Sequence, residues 1–274
     1  MPNAAPRSAG KSEFPWWLVA TLVLAATAAA AIFASDLYSQ VFATVAKGIG
    51  ITIAVTLVAF AAASTIGLGI ALMALSGSAW LRQTARFYVE IIRGVPILVL
   101  LFWIAFAGVP AFVAGWNFLT APLQEAGLFG ALQVRDVPLL WRAVLALMIG
   151  YSPFIAEVFR AGIQSVDPGQ IEAAKALGLS GYRRFRHIVM PQAIRTILPP
   201  LGNDFIALVK DSSLVSVLGV ADITQMGKIY AAGSFRFFET YSIVAYIYLV
   251  LTVGLSIALR ALERRMRRRG GGSG

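Results

Sequence analysis

Residues 167–191 read D-P-G-Q-I-E-A-A-K-A-L-G-L-S-G-Y-R-R-F-R-H-I-V-M-P. This is the most polar long interval between apolar segments, and its local chemistry predicts two short helices. Asp167 can cap the first, and Pro168 suits the first helical position, where a missing N–H costs nothing. Gln170 follows Asp167 by three residues, the spacing of a capping box. Ile171 to Leu177 is rich in helix formers, and Gly178 can end the helix. Ser180 can cap the second helix and Pro191 is expected to stop it. Helices of about 10 residues are unstable alone in water, so both need a surface to lie against. Ala173, Ala174 and Ala176 make the first one thin, which lets a partner approach its backbone.

The flanks of this interval identify its setting. The chain has 274 residues, is 58% hydrophobic and only 13% charged, and has a mean hydropathy of +0.76. Soluble domains are about 45–50% apolar and about 25% charged, so an all-α polytopic membrane protein is expected. The net charge of +10 sits largely beside apolar segments, which is the positive-inside pattern and not a nucleic-acid surface. The absence of cysteine excludes thiol chemistry and disulfides. No metal site and no catalytic set is predicted, and no G-x-x-x-x-G-K-[ST] occurs to cradle ATP phosphates. The single histidine, His187, reads as a solvated or interface residue.

A bilayer core takes about 20 helical residues, and the chain divides on that scale. Residues 1–15 read as a cytoplasmic tail and 16–34 as a first transmembrane helix. A cleavable signal peptide is the rival reading, though its apolar region is only about 7–15 residues. Residues 35–46 read as an external linker. The second span covers about 48–75, where Ala59, Ala63 and Gly67 allow close helix packing. Arg82 and Arg86 mark a cytoplasmic turn. The third span, about 87–113, contains Arg93-Gly94-Val95-Pro96, where a kink is expected. Residues 114–137 read as an external loop, and the fourth span covers about 138–162. The fifth, about 193–217, is interrupted by Pro199-Pro200-Leu201-Gly202. A short external helix is expected around 221–231, before a sixth span over about 241–259. Residues 261–269 form a basic cytoplasmic tail suited to anionic lipid, and 270–274 read as an added linker. Six spans with both termini cytoplasmic put every basic loop on one side.

Glu172-Ala173-Ala174, Gly178, Ile188 and Pro191 resemble the EAA loop of ABC-importer permeases: E-A-A, three residues, G, nine residues, I, one residue, L-P. Met190 replaces the usual Leu, a volume-conserving change. Arg93-Gly94-Val95-Pro96, the run from Tyr151 to Gln170, and the run from Pro199 to Leu214 are similar to the branch importing polar amino acids. The likeness covers about residues 48–260. It implies a type I ABC-importer permease fold of about six transmembrane helices, a five-helix core plus an N-terminal helix, in the bacterial inner membrane. It implies a second permease chain, identical or sister, and a soluble or lipid-anchored binding protein. It also implies two ATPase subunits, which bind ATP and Mg in place of this chain. Coupling to them would run through Gln170, Glu172, Ala173, Ala174, Gly178 and Arg183.

An amino acid crosses as a zwitterion, and both charges need partners in a low-dielectric path. The pathway candidates are Arg93 for a carboxylate, Glu157, Asp204 and Asp211 for an ammonium, Asn203 for a hydrogen bond, and Lys210. Competing structural roles are evident: Arg93 can snorkel, Glu157 and Arg160 are spaced to pair on a helix, and Asp204 has Lys210 six residues away. The aromatic stripe of Phe102, Trp103 and Phe106 suits lipid. Two other readings stay open: an importer of another small polar solute, and an ATP-independent secondary transporter or channel.

Overall fold

The computed structural model describes residues 16–270; the tail predicted over 1–15 lies outside them, as does the predicted linker beyond residue 270. Among the described residues every regular element is helical: α1 (Trp16–Ala34), α2 (Asp36–Val45), α3 (Ile49–Ala74), α4 (Ala79–Gly94), α5 (Ile97–Trp103), α6 (Val109–Glu125), α7 (Leu139–Gln164), α8 (Pro168–Ala176), α9 (Gly181–Arg184), α10 (Met190–Asp211), α11 (Ile223–Ser234) and α12 (Phe237–Gly270). Four stretches are long and apolar enough to cross a membrane: Asp36–Ala74, Ile97–Glu125, Leu139–Gln164 and Phe237–Met266; Val19–Ala34 is a shorter apolar helix. The fold is therefore an all-α polytopic membrane fold with four to five long apolar helices. The 22-residue α10 is long enough to span, but it carries Arg195, Asp204, Lys210 and Asp211.

The centre of the bundle is the pairing of α3 with α7. Ala59 and Ala63 are fully buried. Gly67 lies so close to α7 that a Cβ there would sit 2.9 Å from Ile155 Cγ2 and 3.0 Å from Ser152 O. These small residues let the two backbones meet. Ala74 and Gln164 border one cleft, so α3 and α7 run parallel. α10 runs antiparallel to α7, with Gly162 against Ile197 and Tyr151 bonded to Asp211. α12 runs antiparallel to α10, with Gly202 packed on Leu259. α1 borders α12 in the opposite sense, from Ala31 beside Tyr246 to Thr21 beside Ile257. One end of the bundle thus gathers the α3–α4 turn, α8, α9 and the basic end of α12.

Several elements differ from expectation. Residues 35–46 are mostly helix, continuing into α3 through a short 3₁₀ turn. The kink expected at Arg93-Pro96 is a full break: Val95 and Pro96 are extended, at ψ 128° and 136°, because a residue before proline is pushed out of the helical region. The third crossing accordingly starts at Ile97, and its helix continues to Glu125 through residues assigned to a loop. Pro199-Pro200 does not interrupt α10; neighbouring helices can support a spanning helix across lost hydrogen bonds. Pro191 does not end the second loop helix either. A wide π-turn over Phe185–Val189 joins α9 to α10 and relieves the clash between a proline ring and the preceding turn.

A second π-turn, Ile104–Gly108, joins α5 to α6. There Val109 N–H bonds to Ile104 O, which releases the Ala105 carbonyl. Arg142, 8% exposed, takes it up: its guanidinium donates to Ala105 O at 3.0 Å, Val137 O at 2.8 Å and Val134 O at 2.5 Å. Three carbonyls thus hold a buried cation and fasten the 126–138 loop to the α5–α6 helix.

Gly67→Leu should cost about 1–3 kcal/mol by overpacking, read as a lower melting temperature of the solubilised protein. Gly69→Ala, with nothing within 4 Å of its Cβ, should leave melting unchanged.

Candidate functional site

The break between α4 and α5 opens a cavity of about 420 Å³ against α7 and α10. Arg93, the penultimate residue of α4, lines one side with Tyr151 and Phe154 of α7; Asp204, Ala207 and Asp211 of α10 line the other. The spacing explains the grouping. Tyr151 and Phe154 are three apart, and Asp204, Ala207 and Asp211 are three and four apart, so each set shares one helix face.

The charges of this cavity are incompletely matched. Arg93 Cζ lies 5.2 Å from the centroid of the Phe154 ring, a cation–π contact, and has no carboxylate partner among the described residues. Tyr151 Oη donates to Asp211 Oδ2 at 2.6 Å. Asp204 Oδ2 is buried with no hydrogen-bond donor. A buried carboxylate oxygen without a donor is costly, and a cation arriving in the cavity would remove that cost. One guanidinium and two carboxylates thus line a single, mostly apolar cavity.

Of the predicted pathway residues, the structure brings Arg93, Asp204 and Asp211 together. Asn203 and Lys210 are exposed, lie outside this cavity, and neither pairs with Asp204. Glu157 pairs with Arg160, at 2.5 Å to Nη2 and 3.0 Å to Nε, and borders a different cleft. Tyr151 and Phe154 were not singled out from sequence. Their signal was available in the period of α7, which places 151, 154 and 157 along one flank.

The 167–191 interval forms the second element of interest. Asp167 caps α8 by accepting from Gly169 N–H at 2.8 Å. The expected capping box does not form, because Gln170 Oε1 accepts instead from Gln192 Nε2 at 2.6 Å, drawing α8 onto α10. Gly178, at φ 73°, ends α8. Leu179 N–H bonds to Ala174 O at 3.1 Å and Gly178 N–H to Lys175 O at 2.9 Å, a Schellman motif that favours glycine at that left-handed position. Ala174 is buried, and Ile171 packs on a cluster of Val166, Val189, Ala193 and Ile197. Glu172, Ala173, Arg183, Leu177 and Tyr182 are exposed, the last two at 81% and 75%. The loop is thus anchored on one face and open on the other.

Residues 63–268 match the family model described as "Binding-protein-dependent transport system inner membrane component". The chain belongs to this family. It is the membrane permease component of a binding-protein-dependent importer of the ABC type, a transport subunit and not an enzyme. It is 37% identical over 222 residues to the Escherichia coli (strain K12) glutamine transport system permease protein GlnP, covering 81% of this chain and 92% of that one. It is 36% identical over 225 residues to the probable amino-acid permease protein YxeN of Bacillus subtilis (strain 168), covering 82% and 92%. Among solved structures, it matches an amino acid ABC transporter with histidines at 38% identity and TM-score 0.68, covering 85% of this permease and 98% of that chain. An inward-facing MetNI methionine ABC transporter shares its fold, at 20% identity and TM-score 0.62, covering 84% and 98%. Among the described residues no group of three or more potential ligands could hold a metal.

Tyr151→Phe strips Asp211 of its 2.6 Å hydrogen bond. A loss of about 1–3 kcal/mol is expected, visible as a lower melting temperature of the purified permease and reduced uptake.

Proposed function

We infer that this permease moves a small polar amino acid from a binding protein outside into the cytoplasm. The buried Asp204 oxygen without a donor, in the same cavity as Arg93, carries the reading. Arg93 takes the substrate carboxylate, Asp204 takes its ammonium, and Tyr151 holds the cavity's second carboxylate, Asp211, in place. The relatives' names, glutamine and amino-acid permeases, favour the same substrate class. Asn203 and Lys210 lie on an exposed flank of α10 and act, in this reading, on the aqueous route between two permease chains.

The driving force comes from outside the chain. Two ATPase subunits, holding ATP and Mg, dock on the open face of α8, where Glu172 meets a cation and Ala173 allows close approach. Gln170 ties α8 to α10, Gly178 sets the turn, and Arg183 borders the docking face. Because α8 packs between α7 and α10, its displacement shifts both walls of the cavity. A second permease chain, identical or sister, and a soluble or lipid-anchored binding protein complete the importer. Six spans, α1 and α10 included, with both termini cytoplasmic, match the gathering of the basic residues at the α8 end.

In the reconstituted importer, Asp204→Asn removes one charged hydrogen bond, worth about 1.5–3 kcal/mol. Uptake of a subsaturating amino acid should fall about 10- to 100-fold while substrate still binds the isolated binding protein. Undiminished uptake would remove Asp204 from the pathway. Glu172→Arg should abolish ATP-driven uptake with normal membrane insertion and normal melting. Unchanged uptake would contradict coupling through α8.

A further inference from the structure

The largest cavity among those described is a second one. A cleft of about 610 Å³ opens at the α8 end of the bundle, between α3, α4 and α7. Its polar lining is Arg82, Arg86 and Glu90 from α4 with Glu157, Arg160 and Gln164 from α7. On α4 the charged positions 82, 86, 90 and 93 advance by four, four and three residues, which makes one helical stripe. On α7 the positions 157, 160 and 164 advance by three and four residues and make a second stripe. The two stripes line the cleft together, and Arg93, the last residue of the α4 stripe, lines the mid-span cavity. The opposite flank of α4 exposes Trp80, Phe87 and Ile91 and suits lipid, so the charged flank is the one turned to water.

The partners of these charges differ. Arg160 is tied to Glu157 and Gln164. Arg82 donates to the Ser76 and Gly77 carbonyls at 2.9 and 2.8 Å, which caps the end of α3. Arg86 and Glu90 are one turn apart, yet neither pairs with the other or with any described group. An unpaired cation and an unpaired anion on one stripe match the two charges of an amino acid.

We propose that this cleft is a second amino-acid site, a release station that takes the zwitterion from the mid-span cavity, with Arg86 on the carboxylate and Glu90 on the ammonium. It rests on the reading of the chain as an amino-acid permease. A ligand leaving Asp204 then passes between matched charges and never stands unpaired in the low-dielectric span.

The absence of cysteine makes the test direct. Ala74→Cys places a single thiol at the cleft, and Ala207→Cys places one at the mid-span cavity. In the assembled importer without ATP, alkylation of each thiol by N-ethylmaleimide is followed by mass spectrometry of this chain. The probes are L-glutamine, L-arginine and, as an anion control, inorganic phosphate. At a ligand concentration about nine times Kd, mass action slows a fully shielded thiol about tenfold. Protection by an amino acid but not phosphate is expected at both positions. Arg86→Ala with Glu90→Gln should abolish it at position 74 and leave it at position 207. Protection at 207 alone overturns the station and leaves the mid-span site standing. Protection at neither position overturns both. Protection at 74 by phosphate makes the cleft an anion site, and protection surviving the double variant makes it a conformational effect; either result overturns the proposal.

Discussion

A charge inside a membrane span must be matched, and this permease meets that constraint in different ways at different depths. Arg142 is matched by three carbonyls, one of them released by a π-turn. Arg160 is matched by Glu157. Asp211 is matched in part by a tyrosine hydroxyl. Arg93 has an aromatic face, and one Asp204 oxygen has nothing. The first two are structural solutions, complete without a ligand. The last two are incomplete, and they share one cavity. In the proposed pathway that incompleteness leaves both charges free to meet a substrate.

The scaffold and the moving parts are separated along the same lines. α3 and α7 are locked by buried alanines and the Gly67 contact. Ile171 anchors α8 on a cluster that includes Ile163 of α7 with Ala193 and Ile197 of α10, and those two helices carry Tyr151 and Asp211. In the proposed coupling, a displacement of α8 reaches the cavity through these two packed helices. Full switching between two states requires several kcal/mol of differential binding, which the proposed ATPase partners supply and this chain does not.

Much of this was legible in the sequence, and the limits have physical causes. The α8 cap at Asp167 and the left-handed Gly178 were legible because they depend on neighbours within five residues. The α3–α7 seam showed in the period of Ala59, Ala63 and Gly67. The fate of the prolines was not legible. Pro96 breaks a helix while Pro199 and Pro200 do not, because tertiary packing decides whether lost hydrogen bonds are tolerated. The grouping of Arg93 with Asp204, and the separation of both from Glu157, likewise depend on how α4, α7 and α10 cross. Gln170 left its predicted capping box for Gln192, a residue 22 positions away. Arg142 gave no sign of its Ala105 partner, since that carbonyl is freed only where Ile104–Gly108 widens.

In the proposed function, a substrate with both charges crosses at the expense of ATP. The most direct measurement is uptake by the complete importer in proteoliposomes, comparing an amino acid from a substrate panel with its decarboxylated amine and its deaminated acid. ATP-dependent uptake of the intact amino acid, and of neither analogue, is the predicted result. Uptake that needs no ATP, or equal uptake of an analogue lacking one charge, would contradict it.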